Sequence, residues 1–187
     1  NADSKKLSSY LYNEKYDKFA FFYEDMFKTK FVKQNIILNH LVVDNVVFVG
    51  MNSNFKIDFT GGLGFIDIDK LKEELTNIDL IYKDYSKIAV FHHNISAFFE
   101  NNVTGQWDKE NRVVVLKMLK SFQYKAVLFG NEHTSGSVEE DQFFYIGVGS
   151  IGMKYITDKD TLPSFKVYTI NEDNNNLTLV QDLFHLI

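Results

Sequence analysis

Cysteine is absent from this 187-residue chain, which removes disulfides, thiolate chemistry and zinc-ribbon sites together. That absence leaves the redox compartment open, since a cysteine-free chain suits any of them. A basic cluster is also missing and the net charge is −5, which argues against a dedicated nucleic-acid-binding surface. Nucleic acid remains open as a substrate, because a metal can carry the phosphate contact. No apolar run reaches transmembrane length and no signal-peptide pattern opens the chain, so no membrane association and a cytoplasmic location are expected. Linkers and solenoid repeats are missing too. The first residues, Asn1-Ala2-Asp3, include no methionine, which suggests a processed start with further residues upstream.

What is present is apolar and aromatic. An apolar content of 45%, with 18 Phe and 10 Tyr, indicates a globular chain able to bury a sizeable core. The length predicts a single domain over residues 1–187, with a helical lead-in over 1–34 and a sheet-and-helix core over 35–187.

Tyr16, Phe19, Ala20, Tyr23, Met26 and Phe27 recur at helical spacing, with Lys15, Lys18, Glu24 and Asp25 opposite. They predict an amphipathic helix from about Asn13 to Lys30 whose aromatic stripe packs a core. Ile36 to Val43 and Val46 to Met51 are β-branched runs separated by Asp44-Asn45, the signature of a type I′ hairpin. Gly61, Gly62 and Gly64 lack the Gly-Lys-Ser/Thr ending of a phosphate-binding loop and are taken as flexible punctuation. Asp67 or Asp69 caps a helix to about Tyr82, with Leu71, Leu75 and Ile78 inward. A strand over 87–91, a helix from Lys109 to Phe122 and a strand over 125–129 then form a parallel crossover unit. Thr134 to Gln142 is expected to be a polar loop, followed by a strand from Phe143 to Val148. The end of the chain is expected to be antiparallel, with Phe165 to Ile170 and Leu177 to Phe184 as its strands.

Two of these strands stop at histidines. Ile88-Ala89-Val90-Phe91 runs into His92-His93, and Ala126-Val127-Leu128-Phe129 runs into Gly130-Asn131-Glu132-His133. Both would lie at the carboxyl ends of parallel strands, where α/β sheets gather their ligands. Imidazole is the commonest side-chain ligand for zinc, iron and similar ions, so a metal site is the sharp reading. A lone buried histidine is usually just hydrogen-bonded; His40, standing alone, is read as a cross-strand or partly exposed histidine, and His185 as structural or solvated. Neighbouring side chains on an extended backbone point to opposite faces. His92 is therefore the ligand candidate, and His93 could orient it or contact substrate.

Gly147-Val148-Gly149-Ser150-Ile151-Gly152 fits the dinucleotide string, but no helix opens at its last glycine. It also misses the nucleophile elbow, and turn chemistry explains it better. Nothing locates a Ser/His/Asp triad.

Asn52-Ser53-Asn54, Gly64 with the helix around Leu71 to Leu75, Val90-Phe91-His92-His93, Phe129-Gly130-Asn131-Glu132-His133 and Gly149-Ser150 stand in an order that resembles the calcineurin-like metallophosphoesterases. The resemblance runs from about Val46 to the C-terminus. It implies the C-terminal half of that family's four-layer α/β/β/α sandwich, a mixed sheet with flanking helices. It implies metal-dependent hydrolysis of a phosphomonoester or phosphodiester by a parent protein holding manganese, iron or zinc, with nucleotides or nucleic acids among the phosphate-ester substrates. His92 and His133 are the implied metal ligands, with His93 and Asn131 at the substrate or behind the ligands.

Asn131 departs from the pattern, standing where the family has the first histidine of Gly-His-X-His. The family's Asp-X-His, Gly-Asp-X-X-Asp and Gly-Asn-His-Asp/Glu motifs are absent from these residues. Those motifs supply the bridging carboxylate and most ligands of a two-metal centre with its ions about 3.5–4 Å apart. His92 and His133 alone fall short of the three or four ligands a stable site needs. The chain is therefore expected to be inactive by itself and to need either the N-terminal half or a second copy as partner. A non-catalytic interaction or regulatory module on the same fold is the rival expectation, and a metal-independent hydrolase is a weaker third.

Overall fold

A computed structural model describes residues 16–58, 61–96, 107–131, 136–148, 164–173 and 176–185. Strands β1 (Ile37–Val43) and β2 (Val46–Met51) pair antiparallel across a two-residue turn. Alongside β2 run β5 (Ser86–Phe91), β6 (Tyr124–Phe129) and β8 (Phe143–Gly147), all parallel. β7 (Gly136–Glu140) closes the far edge antiparallel to β8, giving the order β1-β2-β5-β6-β8-β7. This is the mixed α/β sheet with flanking helices that the sequence predicts. Two small antiparallel pairs stand apart from it: β3 (Lys56–Asp58) with β4 (Gly61–Leu63), and β9 (Ser164–Asp173) with β10 (Asn176–His185).

Strand alternation divides the core. Val47, Val49 and Met51 of β2, Ala89 and Phe91 of β5, and Val127 and Phe129 of β6 pack with Leu71, Leu75 and Ile78 of α2 (Ile68–Ile81) and Val115 and Leu119 of α3 (Lys109–Ser121). Val46, Ile88, Ala126 and Ile146 form a smaller cluster from the alternate positions. Each fully buried leucine on the helices contributes about 1.5–3 kcal/mol relative to exposure. The starts of α2 and α3 are fixed by aspartate: Asp67 accepts from the Lys70 amide and Asp108 from the Asn111 amide, both at 3.1 Å. Of the two candidate caps, Asp67 is the one used. Glu74 of α2 reaches across to accept from the amides of Ile36 (3.1 Å) and Ile37 (2.6 Å), tying α2 to the start of β1.

Several expectations need correction. Helix α1 spans Asp17–Phe27, shorter than the predicted stretch, because Lys28 turns left-handed (φ 52°) and stops it; residues 13–15 lie outside the described residues. Its stripe is only partly buried: Tyr16 and Tyr23 pack with Phe31, while Phe19, Met26 and Phe27 keep much of their surface. The β1–β2 turn is not type I′, since only Asp44 (φ 52°) has positive φ and type I′ requires it at both central residues. Part of the predicted polar loop is strand β7, whose side chains are half-buried or exposed as befits an edge, so its apolar signal is weak. The glycines at 61 and 62 belong to strand β4. The terminal strands are longer than expected on both sides of their turn.

Candidate functional site

The carboxyl ends of the parallel strands bring three polar segments together: Asn52-Ser53-Asn54 after β2, His92-His93 after β5, and Gly130-Asn131 after β6. Backbone hydrogen bonds stitch them. The Gly130 amide donates to the His92 carbonyl at 3.1 Å, and the Val148 amide donates to the Phe129 carbonyl at 2.9 Å. The Phe65 amide donates to the Ser53 carbonyl at 3.0 Å, which pins the small β3–β4 excursion back to the sheet.

The two adjacent histidines, in the bend just past β5, have opposite fates. His92 is exposed, and its ring touches that of His93 edge-on, with centroids 5.0 Å apart. His93 is buried, and its Nδ1 lies 2.8 Å from Ser53 Oγ. Ser53 is itself fully buried and also accepts weakly from the His93 amide at 3.5 Å. The strand-end turn is thus anchored by His93 and presents His92.

A second network supports this one from below. Trp107 is buried against Phe91 (centroids 5.2 Å, edge-on), and its indole N–H donates to Asn111 Oδ1 at 2.8 Å. Asn111 also accepts from the Ile66 amide (3.1 Å) and donates to the Ile66 carbonyl (2.8 Å). Gly64 lies where this layer meets the histidine: an added Cβ would sit 2.6 Å from the indole and 2.8 Å from His93 Cβ. Gly64 is a packing requirement, where the sequence suggested flexible punctuation. A glycine next to a lone tryptophan partner carries no periodic signal, and Ser53, Trp107 and Asn111 were not legible as site residues.

Asn131 has a φ of 67°, in the left-handed region that asparagine tolerates better than most residues. Backbone shape therefore gives an independent reason for asparagine at this position. Glu132 and His133 lie outside the described residues, as do Gly149 to Gly152.

Beside His92, between α1 and the ends of β1, β2 and β5, is a cavity of about 560 Å³. Aromatic side chains of the α1 region form one wall, and Asn39, Asn52, Asn54 and His92 lie on the strand side. Asn52 is committed internally: it donates to Tyr16 Oη (3.3 Å) and accepts from the Asn54 amide (3.0 Å).

The donor set does not amount to a metal centre among the described residues. His92 is a suitable ligand, but Asn52, Asn54 and Asn131 are neutral amides, and the His93 Nδ1 is already bonded. No group of three or more His, Asp or Glu side chains that could hold a metal ion occurs among the described residues. Nor is any helix among them long and apolar enough to cross a membrane.

No protein-family model matches the chain, and no curated protein matches its sequence. Among solved structures the chain is similar to a Staphylococcus aureus protein named as a 5′-nucleotidase, in complex with α-ketoglutarate, at 15% identity and a TM-score of 0.48, over 80% of this chain and 29% of that one. It is similar to GAP50, the anchor in the inner membrane complex of Plasmodium, at 16% identity and a TM-score of 0.42, over 62% of this chain and 36% of that one. It is also similar to Vacuolar Protein Sorting 29 from Cryptosporidium parvum, at 13% identity and a TM-score of 0.25, over 62% of this chain and 77% of that one. The chain thus spans about a third of the length of the first two. All three are too distant to assign a substrate or an activity to it.

Proposed function

We propose that this chain is part of a phosphate-ester hydrolase whose activity depends on divalent metal ions, and that it is inactive by itself. The observation that carries the reading is the hydrogen bond from the Gly130 amide to the His92 carbonyl (3.1 Å). It joins the His92-His93 turn directly to the segment that continues to His133, at the sheet edge where ligands collect. In this reading His92 and His133 are metal ligands, and His93 and Asn131 serve substrate contact or ligand orientation. The remaining ligands come from outside these residues, from an N-terminal half or a second copy, with manganese, iron or zinc as the ion. Bound metal would supply charge neutralisation at the phosphate and an activated water. What this chain's own residues contribute is placement: Ser53 and Gly64 fix His93, and His93 fixes the turn that presents His92.

A second reading, a non-catalytic interaction module on the same scaffold, is favoured by a specific feature. The strand-end segments carry the amides of Asn52, Asn54 and Asn131 and no carboxylate among the described residues. Metal content and turnover of the full-length protein separate the two. The hydrolase reading expects bound transition metal and Mn²⁺-dependent cleavage of bis-p-nitrophenyl phosphate, lost in His92→Ala. A metal-free protein with no turnover on mono- or diesters would establish the module instead. Turnover by the 187-residue chain alone, abolished by His133→Ala, would overturn its inactivity in isolation.

A further inference from the structure

The cavity beside His92 carries chemistry that the hydrolase reading leaves unused. Its strand-side wall includes Asn39 of β1, a half-buried carboxamide with no hydrogen-bond partner among the described residues. Asn39 faces Gly50 of β2 in register, and a Cβ on Gly50 would lie 2.7 Å from Asn39 Oδ1. Glycine at 50 therefore leaves room for the amide where it stands. Opposite, Phe19 and Phe27 are 42% and 44% exposed at the rim, with the Tyr23 ring 4.8 Å from that of Phe27. Tyr23 Oη donates to the Leu38 carbonyl, so this wall is tied to the strand that carries Asn39.

A free carboxamide offers one donor and one acceptor side by side, and the edge of a purine offers the complementary pair. Aromatic walls take planar rings, since every base presents a π-face. At about 560 Å³ the cavity lies within the range of small-molecule sites. We infer that this cavity binds the base of a purine nucleoside or nucleotide, with the Asn39 amide on the ring edge and Phe19 and Phe27 against the ring. The sugar and any phosphate then extend towards His92, on the same cavity. That last placement rests on the hydrolase reading, whereas the base pocket does not.

Titration of the full-length protein with adenosine, adenosine monophosphate and ribose 5-phosphate, followed by ligand-observed NMR and calorimetry, tests it. Adenosine and its monophosphate are expected to bind saturably, and ribose 5-phosphate on the order of tenfold more weakly or not at all. Asn39→Ala and, independently, Phe27→Ala on the exposed rim are expected to weaken adenosine binding by on the order of tenfold without lowering the unfolding midpoint appreciably. Failure of adenosine to bind, or unchanged binding in both variants, overturns the inference; a cavity filled by another segment of the protein would give the first result. Adenosine carries no phosphate, so the two readings fail separately. Adenosine binding in a protein without phosphoesterase turnover removes only the hydrolase, and turnover without adenosine binding removes only the base pocket.

Discussion

Ser53 Oγ and His93 Nδ1 lie 2.8 Å apart, both buried, and this bond links the loop after β2 to the turn after β5. The two residues are 40 positions apart in the chain. Through them the presentation of His92 depends on a hydroxyl that never meets solvent.

Ser53→Ala should therefore destabilise the fold. It leaves a buried imidazole nitrogen without its partner, at a cost of about 1–3 kcal/mol. Urea unfolding monitored by circular dichroism checks this, with a lowered midpoint and unchanged slope as the expected result.

Gly64→Ala pushes a methyl group into the Trp107 indole and the His93 Cβ. Overpacking of this kind costs about 1–3 kcal/mol. Trp107 is the sole tryptophan, so its fluorescence reports the site directly. A shifted emission maximum together with a lower unfolding midpoint is expected. An unchanged spectrum would show that the layer yields without strain.

Lys87 is 1% exposed and bonds Asp79 Oδ1 at 2.9 Å, while Asp79 itself stays 42% exposed. The two single substitutions should differ in size. Asp79→Ala strands a buried ammonium and should cost up to about 3–5 kcal/mol, less whatever water reaching that side recovers. Lys87→Met replaces the charge by an apolar chain of similar volume and should be near neutral or stabilising. Equal losses in the two variants, measured by thermal unfolding, would contradict this.

Two buried tyrosines contribute to the dependence of stability on alkaline pH. Burial, and then the Glu140 carboxylate, push the Tyr145 hydroxyl up to about 12 from an ordinary value of 10.0. Burial, reinforced by Asp79, raises Tyr124 as well. The unfolded chain releases these protons near pH 10, whereas the folded protein holds them. Their contribution to stability is thus intact below about pH 10 and declines as pH rises towards about 12. Tyr145→Phe should flatten that decline in unfolding curves taken between about pH 9 and 11. Tyr124 Oη is buried without a hydrogen-bond partner among the described residues, so Tyr124→Phe should cost nothing at neutral pH and gain up to about 1 kcal/mol.

The central strands were legible because they are buried on both faces. Ile88 to Phe91 and Ala126 to Phe129 are unbroken apolar runs, and that pattern survives translation into β5 and β6 almost unchanged. The Asp67 cap and the inward face of α2 were legible for a similar reason, since capping and helical periodicity are local. β7 was not, because an edge strand with half-exposed side chains has no alternation to read. Met26 and Phe27 mark the opposite failure: helical spacing says which residues share a face, but not whether anything covers that face.

The sequence by itself determined that β5 runs straight into His92-His93 and that a helical connection makes β5 and β6 parallel neighbours, because burial and crossover length act over short stretches. Only the tertiary structure decided that His93 turns inward onto Ser53 while His92 turns out, and that Gly64 must be small for Trp107 to lie against it. It alone decided that Asn39 faces a glycine beside an aromatic wall. Each of these is a contact between residues far apart in the chain, fixed by register and packing, on which local composition imposes no constraint.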